Sequence, residues 1–227
     1  MPPASRPATS TEAYLVSGIG GCIDAIGVIT LSGLFVSHMS GNTAALGALI
    51  GQGQWTAGWP HLFAIPVFVA GLFLGYLWTG KEHSLRRCAI IFLIEALLLT
   101  VFGLGYLVTG GPTPDNPVYF LLAIAPLLAM GLQNATLRQI GRSAFPSTYV
   151  TGVLDRFAQT AAACWLSRGT PEAKASRAEA LAALGIWISY VTGALIGGAG
   201  LLVFRPAILV LPITILLSLA VIFLHKK

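Results

Sequence analysis

The sequence predicts an all-α polytopic membrane protein. Six transmembrane helices and two re-entrant half-helix segments are expected, arranged as an inverted-topology internal repeat of three spans each. Three observations predict it. The chain of 227 residues is 56% hydrophobic and only 9% charged, with a mean hydropathy of +0.80, outside the range of soluble globular domains. Its apolar stretches have the length of about 20 residues that a bilayer requires. The same short motifs also recur, in the same order, in the second half of the chain.

Taken in order, residues 1–12 are rich in Pro, Ser and Thr and lack the basic-then-apolar pattern of a cleaved signal peptide, so a disordered tail is expected. Spanning stretches can be drawn at 13–32, 62–80, 88–109, 121–142, 181–204 and 206–225. Two further stretches, 33–50 and 144–166, are shorter or more polar. If both crossed, the basic loop 168–177 and Lys226 and Lys227 would lie opposite the 81–87 loop, against the tendency of Lys and Arg to stay cytoplasmic. If both instead enter and return, Arg6, the 81–87 loop, Arg138, Arg142, Arg156, the 168–177 loop and the C-terminal lysines share one side, and Arg205 alone falls on the other. Both termini are then cytoplasmic. Residues 13–109 form a first membrane repeat, 110–120 an extracytoplasmic linker and 121–227 a second repeat, together one integral domain.

The duplication is read from Gly21-Cys22-Ile23-Asp24-Ala25, which returns as Gly131-Leu132-Gln133-Asn134-Ala135 at an offset of 110 (131 − 21), with Phe145 repeating Phe35. Val150-Thr151-Gly152 repeats Met39-Ser40-Gly41 at 111, and Tyr190-Val191-Thr192-Gly193 with Gly197 repeats Phe68-Val69-Ala70-Gly71 with Gly75 at 122. Arg205-Pro206-Ala207-Ile208 answers Arg87-Cys88-Ala89-Ile90 at 118. Three spans per copy force the second copy to be inverted. In that plan the interrupted, Gly-containing segments meet near the midplane and mark the site. Gly71, Gly75, Gly193 and Gly197 form small-xxx-small pairs suited to close helix packing.

Asp24, near the centre of the first span, is the leading candidate. A charge at the membrane centre costs about 3 kcal/mol or more, so an intramembrane acid is expected to face a cavity or a partner. It reads either as a protonatable or cation-coordinating carboxylate or as an acid paired for structure with Arg138 or a backbone nest. Asn134, its counterpart, cannot titrate, so the site is asymmetric in chemistry. His38 is read as the one histidine in an apolar segment, a proton relay or a structural hydrogen-bonder. Asn42 and Thr43 could start a half-helix whose N–H groups face a solute, Asn also being a good N-cap, and Ser40 beside them joins the expected binding set. Gln133, Arg138 and Thr151 complete the expected substrate- or ion-binding set, and Glu95 reads as a second proton site or a structural partner. Arg142 reads as a topology anchor, and Asp155 with Arg156 as a solvated edge.

Other chemistries are disfavoured. The net charge of +5 comes from basic clusters between apolar segments rather than along one face, which excludes a nucleic-acid partner. Cys22, Cys88 and Cys164 show neither CxxC nor Cys/His spacing, so no metal site, cofactor or disulfide frame is expected. An intramembrane hydrolase using Ser37 or Ser40 with His38 is a remote alternative, because sequence neighbours rarely point at each other and no glycine-flanked serine elbow is present.

At Gly21-x-x-Asp24-Ala25 with Phe35-Val36-Ser37-His38-Met39-Ser40-Gly41-Asn42-Thr43, and again at Gly131-x-Gln133-Asn134-Ala135 with Thr148-Tyr149-Val150-Thr151-Gly152, the chain resembles the YoaK-type family, a domain-of-unknown-function family of bacterial inner-membrane proteins. The resemblance covers nearly the whole chain and implies a small six-span protein of the cytoplasmic membrane; it supplies no mechanism. From the residues, the expected function is a secondary transporter or permeation protein for a small polar solute, coupled to protons through Asp24, with a non-transporting scaffold as the main rival. The expected partners are the lipid bilayer, that solute and, as an open alternative, a second copy of the chain.

Overall fold

The structure, a computed structural model, describes residues 11–80, 84–140 and 150–226, the side chains of 137–140 excepted. The expectations for Arg138 as a side chain, and for Lys81, Arg142 and Phe145, lie outside the described residues. Among the described residues the elements are α1 (Thr11–Thr30), α2 (Met39–Gly51), α3 (Trp55–Thr79), α4 (Leu85–Thr109), α5 (Pro117–Ile140), α6 (Val150–Leu166), α7 (Pro171–Phe204), a 3-10 turn (Arg205–Leu209) and α8 (Val210–His225), with no strand. Five stretches are long and apolar enough to cross a membrane: Thr11–Thr30, Trp55–Thr79, Leu85–Thr109, Pro117–Thr136 and Pro171–His225, the last holding both α7 and α8. The protein is a multi-pass membrane protein, helical among the described residues.

Two helices, α3 and α7, begin much earlier than the apolar stretches do, and each has a local cause. α3 starts at Trp55, seven residues before the stretch drawn from position 62, with exposed Trp55 and Trp59 on its first turns. Such amphipathic rings are at home at a membrane interface. α7 starts at Pro171, inside the expected loop 168–177. Thr170 in extended conformation precedes it, Pro171 takes the first helical position and Glu172 sits in the first turn, all features of a helix start. Its 34 residues make a helix of about 50 Å, well beyond the ~30 Å hydrocarbon layer. By contrast α2, with 13 residues, is about 20 Å long and too short to cross.

Close approaches fix the helix directions. α1 and α7 run parallel: Gly18 and Gly21 of α1 lie against Gly193 and Tyr190 of α7, and Cys22 against Gly197. α3 and α5 run parallel as well. A Cβ on Gly71 would fall 2.7 Å from Leu128 O, and one on Gly131 2.5 Å from Phe68 O. α4 runs antiparallel to α5, where Gly105 meets Leu122, and to α8, where Phe92 stacks on Phe223. α1, α4 and α7 therefore point one way and α3, α5 and α8 the other. Between lipid tails there is no hydrophobic drive for helix association, so contacts of this kind, backbone against backbone, supply the packing energy. At the far end, Lys226 Nζ donates to Glu12 Oε1 at 2.5 Å, which places both ends of the described chain on one face.

α2 packs on α3, and α6 on α7. The second contact is built from Val153, Ala183 and Ile186 and from an ion pair between Arg156 and Glu179 at 2.9 Å. Arg156 is thus paired rather than merely solvated.

Candidate functional site

The site is made by a reversal of the chain. α1 ends at Thr30, and Ser32 (φ 53°) and Gly33 (φ 87°) turn the backbone through the left-handed region. The connector 31–38 then runs back along α1 instead of leaving it. Its return ends at Asp24, six residues or about 9 Å before the end of the helix: Oδ1 accepts from Val36 N at 2.9 Å and from Ser37 N at 3.0 Å. α2 consequently begins at the depth of Asp24, inside the bundle rather than at its edge.

The other oxygen takes one more donor from the connector and ties in α7. Tyr190 Oη on α7 donates to Asp24 Oδ2 at 2.8 Å, and His38 Nδ1, at the start of α2, bonds to the same oxygen. The His38 and Tyr190 rings meet edge to face at 5.5 Å. Asp24 is 3% exposed, while the His38 side chain retains 24%, so the imidazole is the accessible end of the cluster. An ionised carboxylate offers about four acceptor positions. Here all four are used, which is how a charge survives at this depth.

Asn42 holds the connector from the other side. Its Oδ1 accepts from Phe35 N at 3.1 Å and its Nδ2 donates to Phe35 O at 2.7 Å, matching both backbone groups of one residue. His61 Nδ1, on α3, lies 3.1 Å from Asn42 Oδ1. Because Oδ1 can only accept, His61 carries its proton on Nδ1. The reading of His38 as the one histidine in an apolar segment is thereby corrected: His61 is 6% exposed within α3, because that helix starts before the apolar run.

Ser37 Oγ lies 3.2 Å from His38 Nδ1, so serine, histidine and aspartate do converge. Yet a hydrolytic triad needs the acid on one ring nitrogen and the serine on the other. Both contact Nδ1 here, and the arrangement cannot relay a proton from Ser37 to Asp24 through the ring.

A second polar pair lies between α4 and α5. Glu95, fully buried, accepts a 2.7 Å hydrogen bond on Oε1 from Gln133 Nε2. Gln133, expected in the Asp24 set, belongs to this pair instead. Asn134 bonds Met130 O at 3.1 Å within its own helix. Ser40, Thr43 and Thr151 are exposed, and Thr43 Oγ1 returns to Met39 O. The structure therefore brings together Asp24, His38 and Asn42 from the expected set and adds Ser37, His61 and Tyr190. Tyr190 had one signal in the sequence: in the repeat it stands where the first copy has Phe68, so the second copy gains a hydroxyl.

Two cavities of about 270 Å³ each are present among the described residues. One is an apolar cleft between α1, α7 and α8, bordered by Tyr14, Cys22, Thr192 and Pro212; the other lies beside Tyr106 and Arg205. Neither is lined by Asp24. Among the described residues no three His, Cys, Asp or Glu side chains converge so as to hold a metal ion.

A family model described as a protein of unknown function, DUF1275, matches residues 13–222. The chain is also 29% identical over 137 residues to the UPF0700 transmembrane protein YoaK of Bacillus subtilis (strain 168); that match covers 59% of this chain and 59% of the relative's length. No solved structure matches the chain.

Proposed function

The chain belongs to the DUF1275 family of proteins of unknown function, and from the geometry around Asp24 we propose that it is a secondary transporter or permeation protein for a small polar solute. One observation carries this reading: a single buried carboxylate is held by donors from two separate elements, the connector 31–38, whose last residue His38 leads into α2, and α7. A ligand competing for that carboxylate would release both together, and with the connector the start of α2. Proton coupling follows from the same arrangement, since a proton arriving at Asp24 takes the place of one of its donors. His38, the exposed member, is the entry point.

The six-span inverted plan belongs to this proposal. Under the repeat offsets, the approach of Gly71 to Leu128 corresponds to that of Gly193 to Gly18, Gly131 against Phe68 to Gly21 against Tyr190, and Gly75 against Leu132 to Gly197 against Cys22. Each pair recurs at offsets of 110 and 122, and the two copies run in opposite directions. With the Lys and Arg distribution, this supports a bacterial inner-membrane protein with both termini cytoplasmic.

A specific observation favours the scaffold reading: every acceptor position of Asp24 is filled and neither cavity reaches it. Thermal-shift screening of the purified protein against a metabolite panel separates the two, because a ligand of the native state raises its apparent stability. A solute that stabilises wild type but not Asp24→Asn supports transport. A panel that shifts nothing, with Asp24→Asn simply unstable, supports the scaffold.

A further inference from the structure

The buried pair between α4 and α5 is unfinished in a particular way. Among the described residues, two buried side-chain oxygens have no hydrogen-bond partner, Glu95 Oε2 and Gln133 Oε1, and they belong to the two residues already joined by the 2.7 Å bond from Gln133 Nε2 to Glu95 Oε1. Two acceptors without a donor are costly in a water-free interior. One hydrogen satisfies both. Placed on Glu95 Oε2 it donates to Gln133 Oε1 and closes a cyclic acid–amide pair, two antiparallel hydrogen bonds between planar groups. We propose that Glu95 and Gln133 form an intramembrane proton-binding site in which Glu95 rests as the neutral acid.

Among the described residues the surroundings offer nothing else that would hold a carboxylate. On α8, which runs antiparallel to α4, the residues level with Glu95 are Leu216, Leu219 and Ala220, all buried. Among the described side chains, the titratable and charged groups on the elements against α4 are Tyr119 of α5, His225 of α8, Lys226 just beyond it, Arg205 of the 3-10 turn, and His61 and Tyr76 of α3. None of them bonds Glu95. A metal cation would need more than the two oxygens available. Helix packing does not need the pair either, since by the repeat offsets of 118 and 110 its counterparts are Ile213 and Ile23, which share the apolar core. The contrast with Asp24 is one of donors: four reach Asp24, one reaches Glu95. This site does not depend on the transport reading.

Infrared spectroscopy of the full-length protein in lipid at neutral pH tests it. A carboxylic-acid carbonyl band is expected in wild type and absent in Glu95→Gln; in Gln133→Leu the band persists but moves to higher frequency as its hydrogen bonds are lost. Glu95→Gln should leave Tm unchanged within about 3 °C, because an amide–amide pair reproduces both hydrogen bonds. Loss of carboxylate rather than acid absorption in Glu95→Gln overturns the proposal, as does an unmoved band in Gln133→Leu. Stabilisation of wild type but not Glu95→Gln by sodium chloride over choline chloride also overturns it, in favour of a cation site.

Discussion

Tyr190 Oη donates to Asp24 Oδ2 across 166 residues of sequence. This bond ties α7 to α1 at the level where α2 begins, beside the glycine approaches that bring the two backbones together. Removing only the hydroxyl, in Tyr190→Phe, copies the residue found at the corresponding Phe68. The expected loss is about 1.5–3 kcal/mol, typical of a hydrogen bond to a charged group, read as a lower melting temperature with an unchanged helical spectrum.

Asn42 satisfies both backbone groups of Phe35 and meets His61. Asn42→Ala leaves a half-buried N–H and C=O without their partner and should cost about 1–3 kcal/mol. Since α2 is held mainly by α3, faster proteolysis in the 31–38 connector than in wild type is the accompanying readout.

The α1–α7 crossing has no room for a side chain. Gly21→Leu would drive Cβ into the Tyr190 carbonyl and should destabilise by about 3 kcal/mol or more, seen as loss of monodisperse protein after detergent extraction. Gly47→Ala on α2, with nothing within 4 Å of its added Cβ, is the control and should behave as wild type.

Topology can be read chemically. In a background lacking Cys22, Cys88 and Cys164, a cysteine at position 113 should react with an impermeant maleimide added to intact cells. One at position 176, in the polar first turns of α7, should react only after the cells are broken. The reverse pattern would invert the orientation.

Much of the fold was legible because a bilayer restricts what a chain can do: length and apolarity give the crossing stretches, and Lys and Arg bias their orientation. Helix starts were less legible, since Trp55 and Pro171 begin helices outside the apolar runs for reasons of interface and capping. Asp24, His38 and Asn42 stood out as polar residues in apolar surroundings. Tyr190 did not, because a tyrosine in a spanning helix is unremarkable until its hydroxyl is seen to meet an acid 166 residues away. Gln133 stands next to Asn134 in the repeated motif, yet adjacent positions on a helix face different ways, and Gln133 turns to α4.

The parallel pairing of α1 with α7 also sets the order of events during synthesis. At about 5–20 residues per second, the 166 residues between Asp24 and Tyr190 take roughly ten to thirty seconds to emerge. Throughout that interval α1 sits in the membrane without its tyrosine. Val36 N, Ser37 N and His38 follow Asp24 by only 12 to 14 residues. The returning connector therefore serves the newborn chain first: it shelters the acid until the helix that completes its coordination has been made.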